Sequence, residues 1–200
     1  MARRKKNQKP NAEYELRPYK GKAEVRVMSF DPGSRNMGIA CVGMKDNRLG
    51  VLANSVMTNP INDLVNFNAI RPAFFEEVDR WFAAYKPQAI IAERFQTRGL
   101  GGPLIEMVSV MLGMLAGRYN VPVLFITAAT WKNDYQRRYN IDLKETYKEI
   151  LIQPHQLDAC LIGCYGIEVG RGENFDCAPG RIIGLAEERS CLPLKRKRKE

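Results

Sequence analysis

The stretch that decides the fold is Ser29–Ala40, SFDPGSRNMGIA. The residues before it, Ala23–Phe30 (AEVRVMSF), are rich in Val, Met and Phe and read as a strand that runs into Asp31. Pro32 and Gly33 end that strand, and Gly38–Gly43 (GIACVG) resumes an apolar, small-residue strand. The pattern places a carboxylate at a buried strand end with a tight turn just after it. A charge among Phe, Met, Ile and Val is costly unless it is compensated, and a divalent cation compensates it where other carboxylates converge. Taken alone, the same stretch also reads as a plain hairpin whose Asp caps a turn.

Working outward, Asp46-Asn47 supplies turn chemistry and Arg48–Met57 a third strand. Asn59-Pro60 breaks the chain. Phe74, Phe75, Val78, Trp81, Phe82 and Tyr85 then recur every three or four residues, which predicts a helix over 70–85 with one apolar face. Ala89–Ala92 (AIIA) is a short apolar run of the central-strand kind, and it ends at Glu93, a second carboxylate at a strand end. Arg94, Phe95 and Arg98, with Gly99, Gly101 and Gly102, form a basic and aromatic loop suited to a nucleic-acid backbone, or a plain connection. Pro103–Tyr119 reads as a helix opened by proline and apolar nearly all round, so it is either buried or shared with a second subunit. Gly113 and Gly117 on it would permit close approach, and a homodimer seam and simple core both fit.

Val121–Ile126 reads as a strand, placed at an edge by Pro122. Thr127–Tyr139 continues as a basic and aromatic helix or loop in which Trp131, Lys132, Arg137 and Arg138 are candidates for phosphate contact. Leu143–Ile152 is another predicted helix. In Gln153–Gly163 (QPHQLDACLIG), Pro154 suits a first helical position, so His155 and Asp158 fall three apart on one face of an exposed first turn. His155 is the chain's single histidine. Residues 166–194 carry no recognisable chemistry.

The net charge of +9 is unevenly placed: residues 1–22 carry +6, residues 195–200 carry +4, and the 172 residues between carry −1. Two basic tails around a near-neutral body suit attraction to phosphate backbones, which is sequence-independent and salt-sensitive; solubilising tails are the plainer reading. The five cysteines, Cys41, Cys160, Cys164, Cys177 and Cys191, lack paired zinc-site spacing. With no apolar leader and no run of membrane-spanning length, the expectation is a reduced, intracellular protein associated with DNA and not with membrane.

Alternating strands and helices with carboxylates at central strand ends imply a layered α/β domain with its site at one edge of the sheet. Three carboxylates and an imidazole can hold two divalent metals about 4 Å apart, the arrangement used for in-line phosphodiester hydrolysis. One ion would activate the attacking water and the other would stabilise the leaving 3′ oxygen.

On DPGSRNMGIA at 31–40, AIIAERF at 89–95, the apolar helix after it, TAATWKND at 127–134 and HQLDACLIG at 155–163, the chain resembles the RuvC-like Holliday junction resolvases of the ribonuclease H superfamily. The resemblance spans roughly residues 25–165. It implies a ribonuclease H-like mixed sheet flanked by helices in a single domain over 23–165; the basic tails at 1–22 and 195–200 and an extension at 166–194 lie outside it. It implies a homodimeric, metal-dependent endonuclease resolving four-way or branched DNA by paired cuts that leave 5′-phosphate and 3′-hydroxyl ends. Two Mg2+ ions per site are implied, with Mn2+ able to substitute. The family's metal positions fall on Asp31, Glu93, His155 and Asp158; many members carry Asp where His155 stands. The family's base-stacking aromatic lies three residues after the glutamate, where this chain has Gln96, with Phe95 beside it. Lys144 is the candidate for the family's phosphate-supporting base, and Arg35 joins Arg94, Phe95, Arg98, Lys132, Arg137 and Arg138 as candidate DNA contacts. The short segment between Trp131 and His155, with the tails, suggests a divergent version such as those of phages or large DNA viruses. Two competing readings are an actin-like ATPase, whose first phosphate loop matches Asp31, Gly33 and Gly38, and a non-catalytic DNA-binding protein on a nuclease fold.

Overall fold

The structure is a computed structural model that describes residues 16, 18–33, 36–58, 61–64, 67–70, 72–94, 102–150, 152–172 and 179–191. Arg35, Phe95, Arg98, Cys177 and nearly all of the two basic tails lie outside the described residues.

Five strands form the main sheet: β1 (Val25–Asp31), β2 (Asn36–Lys45), β3 (Arg48–Thr58), β6 (Ala89–Arg94) and β7 (Val123–Thr127). Their order is β3-β2-β1-β6-β7. The first three pair antiparallel as a meander, whereas β6 and β7 add parallel to β1. The turn between β2 and β3 is tight because Asp46 and Asn47 both take positive φ, 49° and 56°, the backbone twist that a two-residue hairpin needs. β7 is an edge strand, as Pro122 predicts. A separate hairpin of β4 (Ile61–Leu64) and β5 (Phe67–Ile70) occupies a stretch that the sequence reading leaves unassigned.

Strand parity sorts the sheet's two faces. Met28 and Phe30 of β1, Ile39 and Cys41 of β2 and Ile90 and Ala92 of β6 join one buried cluster. Against them pack α1 (Pro72–Tyr85), through Phe74, Val78, Trp81, Phe82 and Tyr85, and α2 (Gly102–Tyr119), through Val108, Met111, Leu112 and Leu115. The alternate residues, Val27, Ala40, Val42 and Ile91, face a second cluster. There lie α3 (Ala128–Tyr139), α4 (Leu143–Glu149), α5 (Pro154–Arg171) and α6 (Pro179–Glu188). The result is three layers, helices on both faces of a mixed sheet.

Helix α5 is buried from Gln156 to Glu168 and lies directly on the sheet. Small residues make this possible: a Cβ at Gly163 would sit 2.6 Å from Ser29 Oγ, and one at Gly166 would sit 2.6 Å from Ile91 Cγ2. The Ser29 hydroxyl donates to the Ala159 carbonyl at 2.7 Å, tying β1 to the helix.

Helix α5 runs across residue 165, and α6 buries Ile182 and Ala186 in the same core. Part of the N-terminal basic segment is docked as well: the Tyr19 amide donates to the Ala84 carbonyl at 3.0 Å. No described helix is long and apolar enough to cross a membrane.

Candidate active site

Asp31 is the last residue of β1 and Glu93 the next-to-last of β6. The two strands are parallel neighbours in a register that pairs Phe30 with Ala92, so Asp31 and Glu93 come next, side by side at the strands' C-terminal ends. Parity turns both away from the Phe30 side and toward α5. Asp31 is 7% exposed despite its charge.

The first turn of α5 completes the group. Pro154 stands at the first helical position, and Gln153 with Gln156 forms a capping box before it. His155 Nδ1 lies 2.6 Å from Asp31 Oδ2. Asp158 is buried rather than exposed on the helix's first turn. Gly38 of β2, cross-strand from Asp31, lets this turn close on the sheet: a Cβ there would lie 2.6 Å from the His155 carbonyl carbon and closer still to its oxygen. The final glycine of the D-P-G-x-x-x-x-G run is thus a close-approach residue beneath α5.

Helices α3 and α4 supply three side chains that hold these acids. Trp131, fully buried, donates its indole N–H to Glu93 Oε2 at 2.8 Å. The Lys132 ammonium donates to Asp158 Oδ2 at 2.9 Å, and the Tyr147 hydroxyl donates to Asp158 Oδ1. Sequence reasoning assigned Trp131 to phosphate contact and gave Tyr147 no role. Nothing in the local sequence marks either contact.

The electrostatics follow from burial and mutual repulsion. Desolvation, with the neighbouring Asp31 charge, holds both Glu93 and Asp158 above the ordinary carboxylate range, although Trp131, Lys132 and Tyr147 pull the other way. The hydrogen bond to Asp31 raises the His155 imidazole against the opposing effect of burial. Burial would depress Lys132, but Asp158, Glu93 and Asp31 outweigh it and hold the ammonium above the ordinary lysine value.

Among the described residues, no group of three His, Cys, Asp or Glu side chains converges closely enough to hold a metal ion in this conformation. The donor chemistry nonetheless suits a hard cation. Three carboxylates and an imidazole lie within electrostatic reach of one another, short of positive charge, with the Lys132 ammonium already standing among them as a cation.

The candidate DNA contacts divide. Arg94 and Lys144 are exposed, the first at the end of β6 and the second in the first turn of α4. The Arg137 side chain is 81% exposed and pairs with Asp134. Arg138 is drawn inward to Asp134 and to Glu168 at 2.8 Å, with its guanidinium over the rings of Tyr135, Tyr139 and Tyr165. Along α2, Val110 and Met114 are each 64% exposed, and a Cβ at Gly113 or Gly117 would meet nothing within 4 Å.

No family model matches the chain, and no curated protein matches it in sequence. Solved structures do share its architecture. T. thermophilus RuvC in complex with a Holliday junction substrate superposes with a TM-score of 0.56 at 17% identity, over 74% of this chain and 96% of that one. A second Thermus thermophilus RuvC structure gives 0.49 at 16% identity, over 73% and 97%. The fowlpox virus resolvase, in complex with substrate Holliday junction DNA, gives 0.40 at 15% identity, over 72% and 98%. Of these three, the first superposes closely enough to show a common fold: this chain has the ribonuclease H-like fold of the resolvases.

Proposed function

We propose that the protein is a divalent-metal-dependent endonuclease that resolves four-way or otherwise branched DNA, working inside the cell on DNA. The observation that carries this reading is the placement of Asp31 and Glu93 on adjoining strand ends beneath the turn of α5 that carries His155 and Asp158, with His155 bonded to Asp31. The resolvase-type fold, the exposed Arg94 at the end of β6 and the exposed Lys144 on α4, whose Tyr147 reaches Asp158, support it.

Asp31, Glu93, His155 and Asp158 would hold the ions, Mg2+ or in its place Mn2+. When bound, these supply Lewis acidity that generates the attacking hydroxide and stabilises the leaving 3′ oxygen. The chain's own residues do the rest. Trp131 fixes the Glu93 carboxylate, and Tyr147 and Lys132 fix that of Asp158, so the acids keep their positions without DNA. Lys132, its side chain 34% exposed, also presents a cation toward an incoming phosphate. Hydrolysis adds a water oxygen to phosphorus and releases the 3′ oxygen, leaving 5′-phosphate and 3′-hydroxyl ends. The basic tails, with Arg35, Phe95 and Arg98, which follow Asp31 and Glu93 in sequence, are assigned phosphate and base contacts.

Paired cuts on opposed strands require two sites related by a twofold axis. The face of α2 bearing Val110 and Met114, with open space over Gly113 and Gly117, is the surface we assign to that homodimer.

The test is cleavage of a labelled synthetic four-way junction beside matching linear duplex, with Mg2+, using Asp31→Asn as control. Symmetric cuts confined to the branch and lost in the variant, with junction binding kept, are expected. Equal cutting of every substrate would make it a general nuclease; tight binding without cutting would make it a structural DNA-binding protein.

A further inference from the structure

Within the extension at 166–194, Ala186, Ser190 and Cys191 take part in a hydrogen-bonded latch. Gln156 stands between His155 and Asp158 and is 7% exposed. Its Oε1 accepts the Gln153 amide at 3.0 Å, closing the capping box of α5. A primary amide has two N–H donors, and both are used: Nε2 donates to Asn54 Oδ1 at 3.0 Å and to Ser190 Oγ at 3.1 Å. Asn54, fully buried on β3, is engaged at its side-chain amide, its side-chain oxygen and its backbone carbonyl. Its Nδ2 donates to the Ala186 carbonyl at 2.6 Å, its own carbonyl accepts the Cys191 amide at 2.8 Å, and it bridges Ser190 in parallel. Residues 186–191 therefore lie against Asn54 of β3 and meet the turn of α5 that carries half of the candidate site.

We infer that this C-terminal segment is a positioning element: through Ser190 and Asn54 it fixes Gln156, and through Gln156 it sets where His155 and Asp158 stand. The assignment of a catalytic task to those two residues rests on the function proposed above. The first turn of α5 is held from two sides, by Gly38 of β2 against the His155 carbonyl and by the Asn54–Ser190 pair against Gln156. The latch contains only amides and a hydroxyl, so it keeps its strength whether the acids beside it carry protons or metal. Removing the Ser190 hydroxyl leaves a buried amide donor unpaired, and the turn must shift to satisfy it.

The test compares Ser190→Ala with Ser190→Thr, which keeps the hydroxyl. Because His155 is the chain's single histidine, histidine labelled at Cε1 gives one ring signal that reports on the site in the metal-free protein. A sharp wild-type signal, moved or broadened in Ser190→Ala and restored in Ser190→Thr, is expected. The Mg2+ concentration needed for half-maximal cleavage should rise about tenfold in Ser190→Ala, with junction affinity unchanged. An unmoved His155 signal in Ser190→Ala, with or without a change in melting temperature, overturns the proposal, as does a failure of Ser190→Thr to restore it. If the wild-type protein cuts no DNA, the ring signal still decides whether the latch positions this turn, so the two readings fail separately.

Discussion

Replacing Gly38 with alanine would add one methyl group at the tightest seam of the candidate site. The new Cβ would lie 2.6 Å from the His155 carbonyl carbon and 3.2 Å from Ala159 Cβ. Carbon atoms in contact sit about 3.5–4.0 Å apart and the His155 carbonyl oxygen lies nearer still, so β2 and the first turn of α5 must separate by at least about 1 Å. Neither neighbour is the free end of a flexible side chain: one is helix backbone, and the other is the methyl of a residue with no rotamers. Overpacking of this kind costs about 1–3 kcal/mol, a fall in melting temperature of about 2–12 °C for a chain of this size. The functional loss should be larger than the stability loss. Moving His155 and Asp158 by about 1 Å relative to Asp31 and Glu93 is worth about a hundredfold in rate. The assay pairs thermal unfolding with junction cleavage under single-turnover conditions. Gly50→Ala on β3, where a Cβ meets nothing within 4 Å, is the control and should match wild type in both. Wild-type melting and cleavage in Gly38→Ala would refute the close packing of α5 on β2 and, with it, the account of why this motif ends in glycine.

Trp131→Phe removes the indole donor from Glu93 Oε2; loss of that charge-assisted bond should destabilise the fold by about 1.5–3 kcal/mol, read by chemical denaturation, and an unchanged midpoint would contradict the buried contact. His155, Glu93 and Asp158 all bind their protons more tightly than their ordinary values of 6.5, 4.5 and 3.8. Their stabilisation is complete below those values and is lost as pH rises through the raised ones, so the metal-free protein should melt lower at pH 8 than at pH 5. Saturating Mg2+ should flatten that slope, and a melting temperature that climbs with pH would refute the assignment. Met114→Glu on the open face of α2 should give a monomer by sedimentation with melting close to wild type; a dimer that persists would move the twofold interface elsewhere.

The two carboxylates at strand ends were legible because a sheet imposes a period of two. Once Phe30 and Ala92 are inside, Asp31 and Glu93 must share the opposite face. Helices α1 and α5 were legible from apolar spacing and from Pro154 as a first residue, whereas α3 read equally as helix or loop. What supports the acids was not. Trp131 reads as a basic-helix aromatic until its N–H is seen against Glu93, and Tyr147 lies on a seven-residue helix with little periodicity. Gln156, Asn54 and Ser190 are ordinary polar residues whose side-chain partners across the fold lie 34 to 132 positions away, a separation that no local pattern encodes. The β4–β5 hairpin escaped notice because Asn62, Asp63 and Asn68 dilute any alternation along its four-residue strands.

The bridge between Asn54 and Ser190 has a bearing on solubility as well. β3 is eleven residues long and lies at the edge of the sheet, where unpaired amides and carbonyls invite strands from other molecules. Asn54 sits near its middle, with its carbonyl already taken by the Cys191 amide. An incoming strand therefore finds the edge divided into two short stretches, neither long enough for stable pairing. A chain cut before residue 186 would offer the edge whole, and its first symptom would be self-association at high concentration.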